Sequence, residues 1–336
     1  MPERIEVSYP SRWVEHSKLT AKERREINRH VVAWMGKHTP SSPDVLQDLS
    51  DMDPGNGAAF PFPKADYQQA ITIAKYFYYW VSWDDTNIET GTSKELEFLE
   101  KSIAGEPFTE KELAEGAGDN PYLTAWRLIG DEFSTLGMSS QWRKHLGSFM
   151  QWWARHAMRQ TRICQALDSY QDFTEALKLR TKTAGGGGDV IGAEMTAGFE
   201  IPDELYYSRE HQDLLHQAGK IIAISNDVAS FGRELAEGLQ GVNLLWLHRI
   251  FYKTCDLRES LSAVLEIHDR AVENFDKIAS DILTHCAPAY AESLARVFDH
   301  YRYVASGFTR WHIEAPRYRN YVQSGEHPFE FFMTER

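Results

Sequence analysis

Only 3 of the 336 residues are cysteine, and no C-x-x-C pair occurs among them. A disulfide framework and a cysteine-based zinc site therefore have no support, and Cys164, Cys255 and Cys286 read as core thiols. No apolar run approaches the roughly 18 to 20 residues of a membrane span. The opening M-P-E-R-I-E-V-S-Y-P also lacks the apolar core of a signal peptide. Stable membrane insertion is not expected, and the cytoplasm is the expected compartment. Positive charge is short as well: 36 Lys and Arg against 49 Asp and Glu leave a formal net charge of −13. That balance argues against general nucleic-acid binding, which needs a basic surface stripe. None of the 13 histidines has Glu three residues before it, which removes the Glu-x-x-His ligands of a di-iron bundle. Strand signals are scarce, and no internal repeat occurs.

What the chain does have is helical periodicity, recurring over 211–236, 261–283 and 288–310. An all-α fold follows. Loops are expected near 38–64 and 103–121, where Pro, Gly, Ser and Asp cluster. By length alone the chain could hold one large domain or two ordinary ones.

The densest chemistry lies in N-D-V-A-S-F-G-R-E, which spaces Asn226, Ser230 and Glu234 four residues apart and sets Arg233 beside the last. On a helix each such step advances about 6 Å along one stripe, so one hard cation could touch all three oxygen-bearing side chains. Mg²⁺ suits an amide oxygen, a hydroxyl and a carboxylate, and is commonly shared with substrate phosphate. Ile221, Ile222, Ile224, Val228, Phe231 and Leu235 supply apolar residues for a core-packed helix. The competing reading is a polar stripe facing solvent or capping a buried hydrogen-bond network.

A second acidic station closes the aromatic segment that runs from Phe60 to Trp83: the adjacent carboxylates Asp84 and Asp85, with Glu89 following. Two neighbouring carboxylates repel unless a cation sits between them or water solvates them, and a solvated helix end is the ordinary alternative. Between the stations, Arg180 precedes four consecutive glycines at 185–188. Each glycine costs about 1 kcal/mol in a helix relative to Ala, so a break is expected there, either exposing backbone to a ligand or forming a plain loop. The run lacks the G-K-[ST] ending of a nucleotide-binding loop. Near the end, W-H-I-E-A-P-R-Y brings Arg317, whose planar fork fits phosphate oxygens, next to Tyr318.

In this order, the four stations resemble the class I terpene synthases of the single-domain fungal and bacterial type, over nearly the whole chain. That family pairs an aspartate-rich motif with N-D-x-x-S-x-x-[KR]-E and holds three Mg²⁺ ions against a prenyl diphosphate. The resemblance implies Asp84, Asp85, Asn226, Ser230 and Glu234 as metal ligands, with Glu89 and Asp227 either at the metal or just behind it. It implies Arg180, Arg233, Arg317 and Tyr318 as diphosphate-binding residues; Arg180 precedes Asn226 by 46 residues, the family's spacing for its sensing arginine. Asp84-Asp85-Thr86-Asn87-Ile88-Glu89 departs from D-D-x-x-[DE] by one position. The implied fold is a helical bundle around a central apolar pocket, and motifs spread from 84 to 318 imply one domain over 1–336, with flexible ends near 1–12 and 325–336.

The implied reaction is Mg²⁺-dependent ionisation and cyclisation of farnesyl diphosphate to a sesquiterpene or its alcohol, with geranyl and geranylgeranyl diphosphate as alternatives. The second motif departs from the repeated D-D-x-x-D of chain-elongating prenyl transferases. Phe77, Trp80, Trp83, Trp153 and Trp311 are candidates to line the pocket and face a carbocation, although aromatics at helical spacing are more often core. Phe77 and Trp311 are the preferred pair by position. A monomer or homodimer is expected. A catalytically inactive helical scaffold or prenyl-diphosphate binder is the reading from another class.

Overall fold

Helix starts are written plainly in the chain. Thr20, Asp66 and Thr109 each cap a helix whose third residue, Glu23, Gln69 or Glu112, reaches back to the cap's own N–H. Two orphan donors are thereby satisfied at each start. Pro43, Pro121 and Pro288 stand in the first turns of their helices, where a missing N–H costs nothing.

The computed structural model describes residues 3–39, 42–84, 94–165, 169–253, 256–325 and 327–336. Its architecture is all-α, and among the described residues the one sheet has two strands. No helix among those residues is long and apolar enough to cross a membrane. The chain divides into two compact units.

One unit comprises Ser17–Ala59 and Lys64–Met158. Its main helices are Ala21–His38, Tyr67–Trp83, Pro121–Thr135 and most of Ser140–Cys164. Tyr67–Trp83 carries aromatics on almost every face and is buried along most of its length, as a helix apolar all round must be. The 38–64 stretch, expected as loop, holds the helices Pro43–Asp51 and Pro54–Ala59, and 103–121 holds Glu110–Ala114. Proline in these stretches opens helices rather than breaking them.

The other unit comprises Arg159–Arg336, Phe60–Pro63 and the N-terminal segment through His16. The helix Arg209–Glu237 lies at its centre, packed by Phe173–Thr183, Gly186–Ile191, Leu257–His285, Pro288–Glu314 and Pro316–Ser324. Ile221, Ile222, Ile224, Val228 and Phe231 are buried as expected, whereas Leu235, in the last turn of the helix, is 41% exposed. The expected break at the glycine run falls at Ala184 and Gly185, and Gly185 takes the left-handed φ of 82°. Gly186, Gly187 and Gly188 are helical rather than looped. A Cβ on Gly186 would stand 2.6 Å from the Gly219 Cα of the central helix, so the close approach requires glycine.

The ends expected to be flexible instead form strands. Glu3–Tyr9 pairs in parallel with Phe329–Glu335, from Glu3 opposite Phe329 to Tyr9 opposite Glu335. The side-chain alternation of Ile5, Val7 and Tyr9 matches the inward face of that strand. Of the cysteines read as core thiols, Cys164 is exposed at the end of its helix and Cys286 is half-buried, while Cys255 lies outside the described residues.

Candidate active site

Asn226, Ser230 and Glu234 lie along the central helix Arg209–Glu237, and their side chains are joined to a wider polar network. The Arg180 Nη2 donates to Asn226 Oδ1 at 2.6 Å, and its Nε donates to Asp227 Oδ1 at 2.7 Å. Asp227, fully buried, gives its other oxygen to the Leu244 N–H at 2.8 Å. Both Asp227 oxygens are therefore engaged by protein donors. Burial pushes the Asp227 carboxyl up, against the opposing pull of Arg180. Burial alone would lower Arg180, but the carboxylates of Asp227 and Glu234 outweigh it and hold the guanidinium above its ordinary value.

The Asn226 amide has one orientation that fits its neighbours. Its Nδ2 donates to the Tyr318 hydroxyl at 3.1 Å and faces His312 Nε2 at 3.3 Å. Ser225 Oγ donates to the Ile222 carbonyl, so His312 Nδ1, 3.1 Å from that oxygen, must carry the ring proton and leave Nε2 as the acceptor. Burial, and then the Arg180 charge, push the His312 imidazole down to about 3, which keeps it the neutral acceptor this bond needs. One lone pair of Asn226 Oδ1 takes Arg180, and the second is left for another partner.

One turn along, Ser230 Oγ donates to Glu234 Oε1 at 2.8 Å. Two oxygens at adjacent corners of a Mg²⁺ octahedron stand about 2.9 Å apart, given Mg–O distances near 2.0–2.1 Å. The Ser230 and Glu234 pair already has that separation, so the residues fit the metal. Buried Arg317 Nε has no hydrogen-bond partner among the described residues, a donor suited to an anionic oxygen. Arg233 points differently: its Nη1 donates to Glu237 Oε2 at 2.8 Å, with Glu234 Oε1 at 3.9 Å from Nη2.

Trp311 and Tyr318 meet edge to face, with ring centroids 5.9 Å apart, and His312 packs against both. Arg180, Asn226, Asp227, Ser230, Arg233, Glu234, Trp311, Arg317 and Tyr318 all belong to the Arg159–Arg336 unit. Asp84, Phe77, Trp80, Trp83 and Trp153 belong to the other. There, Trp80 and Trp83 both pack on Trp153, and Trp83 also meets Trp126. These three candidate pocket aromatics are thus mutually buried, whereas Phe77 is half-buried against Tyr78. Half-buried Asp84 caps the carbonyl end of Tyr67–Trp83, the end at which the helix dipole disfavours an anion. Asp85 and Glu89 lie outside the described residues.

Two residues of this network were not singled out from sequence. His312 stands in W-H-I-E, where nothing local marks it. Asn243 precedes an apolar run and is recognisable as a helix cap, but its contact with Glu234 depends on tertiary folding.

The sequence pattern of terpene synthase family 2, C-terminal metal binding, matches residues 75–274. Pristinol synthase of Streptomyces pristinaespiralis is 27% identical over 207 residues, 60% of this chain and 54% of that protein. A (−)-β-caryophyllene synthase of Saccharothrix espanaensis, named as cyclising (2E,6E)-farnesyl diphosphate, is 35% identical over 138 residues, 40% of this chain and 37% of its own length. The chain's matches thus span about half or less of these two relatives. Among solved structures, 2-methylisoborneol synthase of Streptomyces coelicolor, in complex with Mg²⁺ and 2-fluoroneryl diphosphate, shares the fold at a TM-score of 0.74 with 17% identity, covering 91% of this chain and 96% of that one. The family pattern begins before Asp84 and continues past Asn243, over more than half of the sequence; on that extent, the protein belongs to terpene synthase family 2.

Proposed function

We propose that this protein ionises farnesyl diphosphate and cyclises the resulting allylic cation to a sesquiterpene hydrocarbon or alcohol, releasing diphosphate. The observation that carries the reading is the oxygen row of Asn226, Ser230 and Glu234, flanked by Arg180 and Tyr318. Farnesyl diphosphate as substrate is supported by the name of the Saccharothrix relative. Mg²⁺, three ions by the family resemblance, would supply the positive charge that draws electrons toward the departing diphosphate. Asn226 Oδ1, Ser230 Oγ and Glu234 Oε1 are assigned to holding it, and Asp84 and Asp85 are assigned the same role in the first motif.

In this reading Arg180 uses Nε and Nη2 to brace Asp227 and Asn226 and keeps Nη1 for phosphate oxygen. The Tyr318 oxygen accepts from Asn226, which leaves its own O–H to donate toward the same anion. Arg317 adds a forked donor. These fixed donors favour charge that develops only as the C–O bond breaks heterolytically and its electron pair leaves with diphosphate. The Trp311 face then offers cation–π attraction to the carbocation. The reaction ends by loss of a proton or capture of water. The whole chain is read as one synthase domain.

Incubation of purified protein with geranyl, farnesyl and geranylgeranyl diphosphate, each with and without Mg²⁺, followed by mass spectrometry of extracted volatiles, tests this. A Mg²⁺-dependent cyclic C15 product is expected from farnesyl diphosphate alone. Product from another chain length would correct the substrate, and folded protein giving neither product nor diphosphate release from any of the three would overturn the reading.

A further inference from the structure

Glu234 is nearly buried, and each of its carboxylate oxygens has its own donor: Ser230 Oγ for Oε1, and Asn243 Nδ2, at 2.8 Å, for Oε2. Asn243 is fully buried, nine residues after Glu234, outside the N-D-x-x-S-x-x-R-E row. Its second Nδ2 hydrogen goes to the Asp227 carbonyl at 2.7 Å, and its Oδ1 accepts from the Leu245 N–H at 3.0 Å. Flipping the amide would turn its oxygen toward a carboxylate and a carbonyl, both acceptors, so the orientation is fixed by chemistry. The next residue adds a further tie, the Leu244 N–H to Asp227 Oδ2.

We propose that Asn243 is a positioning residue for metal binding: it pins Glu234 Oε2 so that Oε1, beside Ser230 Oγ, is the oxygen presented to the cation. This rests on the metal-binding role given above to Ser230 and Glu234. Unpinned, the Glu234 side chain could turn about its two outer bonds and offer either oxygen, both or neither. Partners standing behind a metal ligand commonly change metal affinity by 10 to 100-fold when removed. A divalent ion that keeps near-octahedral geometry tolerates little misplacement.

Asn243 also caps the helix Leu244–Tyr252, so the test must separate the two roles. Asn243→Ser keeps a cap acceptor but is too short to reach Glu234, whereas Asn243→Ala removes both. Mn²⁺ binding in the presence of inorganic diphosphate, followed by the EPR signal of free Mn²⁺, reads affinity without turnover. The parent and Ser230→Ala report the site itself. Parent protein that binds no Mn²⁺, or Ser230→Ala that binds it as the parent does, would remove the site and the proposal with it. With the site established, both Asn243 variants are expected to lose 10 to 100-fold in Mn²⁺ affinity, while Asn243→Ser melts closer to the parent. Asn243→Ser binding Mn²⁺ within twofold of the parent would reduce Asn243 to a helix cap.

Discussion

Arg180 shows how stability and chemistry share a residue. It is the cation that faces buried Asp227, and removing one partner of a buried pair leaves an uncompensated charge. Arg180→Ala should therefore cost about 3–5 kcal/mol in urea denaturation, besides abolishing turnover; a loss below about 1 kcal/mol would mean that Asp227 finds another partner or a proton. A different buried acid gives a pH signature. Burial pushes Glu194 up to about 8, opposed by the Ile201 N–H and the Tyr301 O–H that its oxygens accept. Its carboxyl favours the protonated form in the fold, so its stabilising contribution is full below the unfolded value of 4.5 and is lost as pH rises through about 8. Glu194→Gln, which stays neutral, should flatten that fall: its melting temperature relative to the parent is expected to rise between pH 5 and pH 8.5. A constant difference across that range would contradict the shift.

At the scale of elements, the contact between Gly186 and Gly219 sets how closely the short helix after the break meets the central one. Gly186→Ala should destabilise by roughly 1–3 kcal/mol, because its Cβ meets backbone that cannot rotate away. Gly198→Ala makes the comparison: its φ is 67° but nothing stands within 4 Å, so only backbone strain of about 1–2 kcal/mol is expected. A Gly186→Ala variant that melts at or above the parent would show that the close approach adds no packing cost there. This pair also marks the limit of reading the chain directly. The four-residue spacing of Asn226, Ser230 and Glu234 was legible because helix geometry converts spacing into a shared face. The break at the glycine run was legible from propensity. That three of its four glycines would be helical was not, since the close approach that requires glycine at 186 comes from Gly219, 33 residues on in the chain. His312 and Asn243 were hidden for the same reason: their partners are chosen by tertiary packing. Pro43 and Pro54 misled because proline marks helix starts as readily as loops.

Across the whole molecule, the paired strands tie the two extremes of the chain together, and their neighbours tie them to the site's framework. The Tyr9 hydroxyl lies 2.8 Å from His268 Nε2 and 2.7 Å from Thr309 Oγ1, and His327, just before the second strand, lies with Nε2 2.9 Å from the Val228 carbonyl of the central helix. Deleting residues 3–9 should lower the melting temperature by several degrees and leave Phe329–Glu335 an unpaired edge prone to association; light scattering and melts on the truncated chain check both, and an unchanged, monodisperse sample would contradict the role given to the pairing. Two alternating runs, Ile5-Val7-Tyr9 and Phe329-Phe331-Met333, were the available signal for these strands. Each is too short to outweigh the surrounding helical pattern. The pairing also orders events in time. A ribosome adding roughly 5–20 residues per second releases the first strand about 15–65 s before its partner exists. Through that interval the nascent segment offers an open edge that waits for Phe329–Glu335, and a pairing of such long sequence separation must meet its loop-closure entropy before its hydrogen bonds reward it.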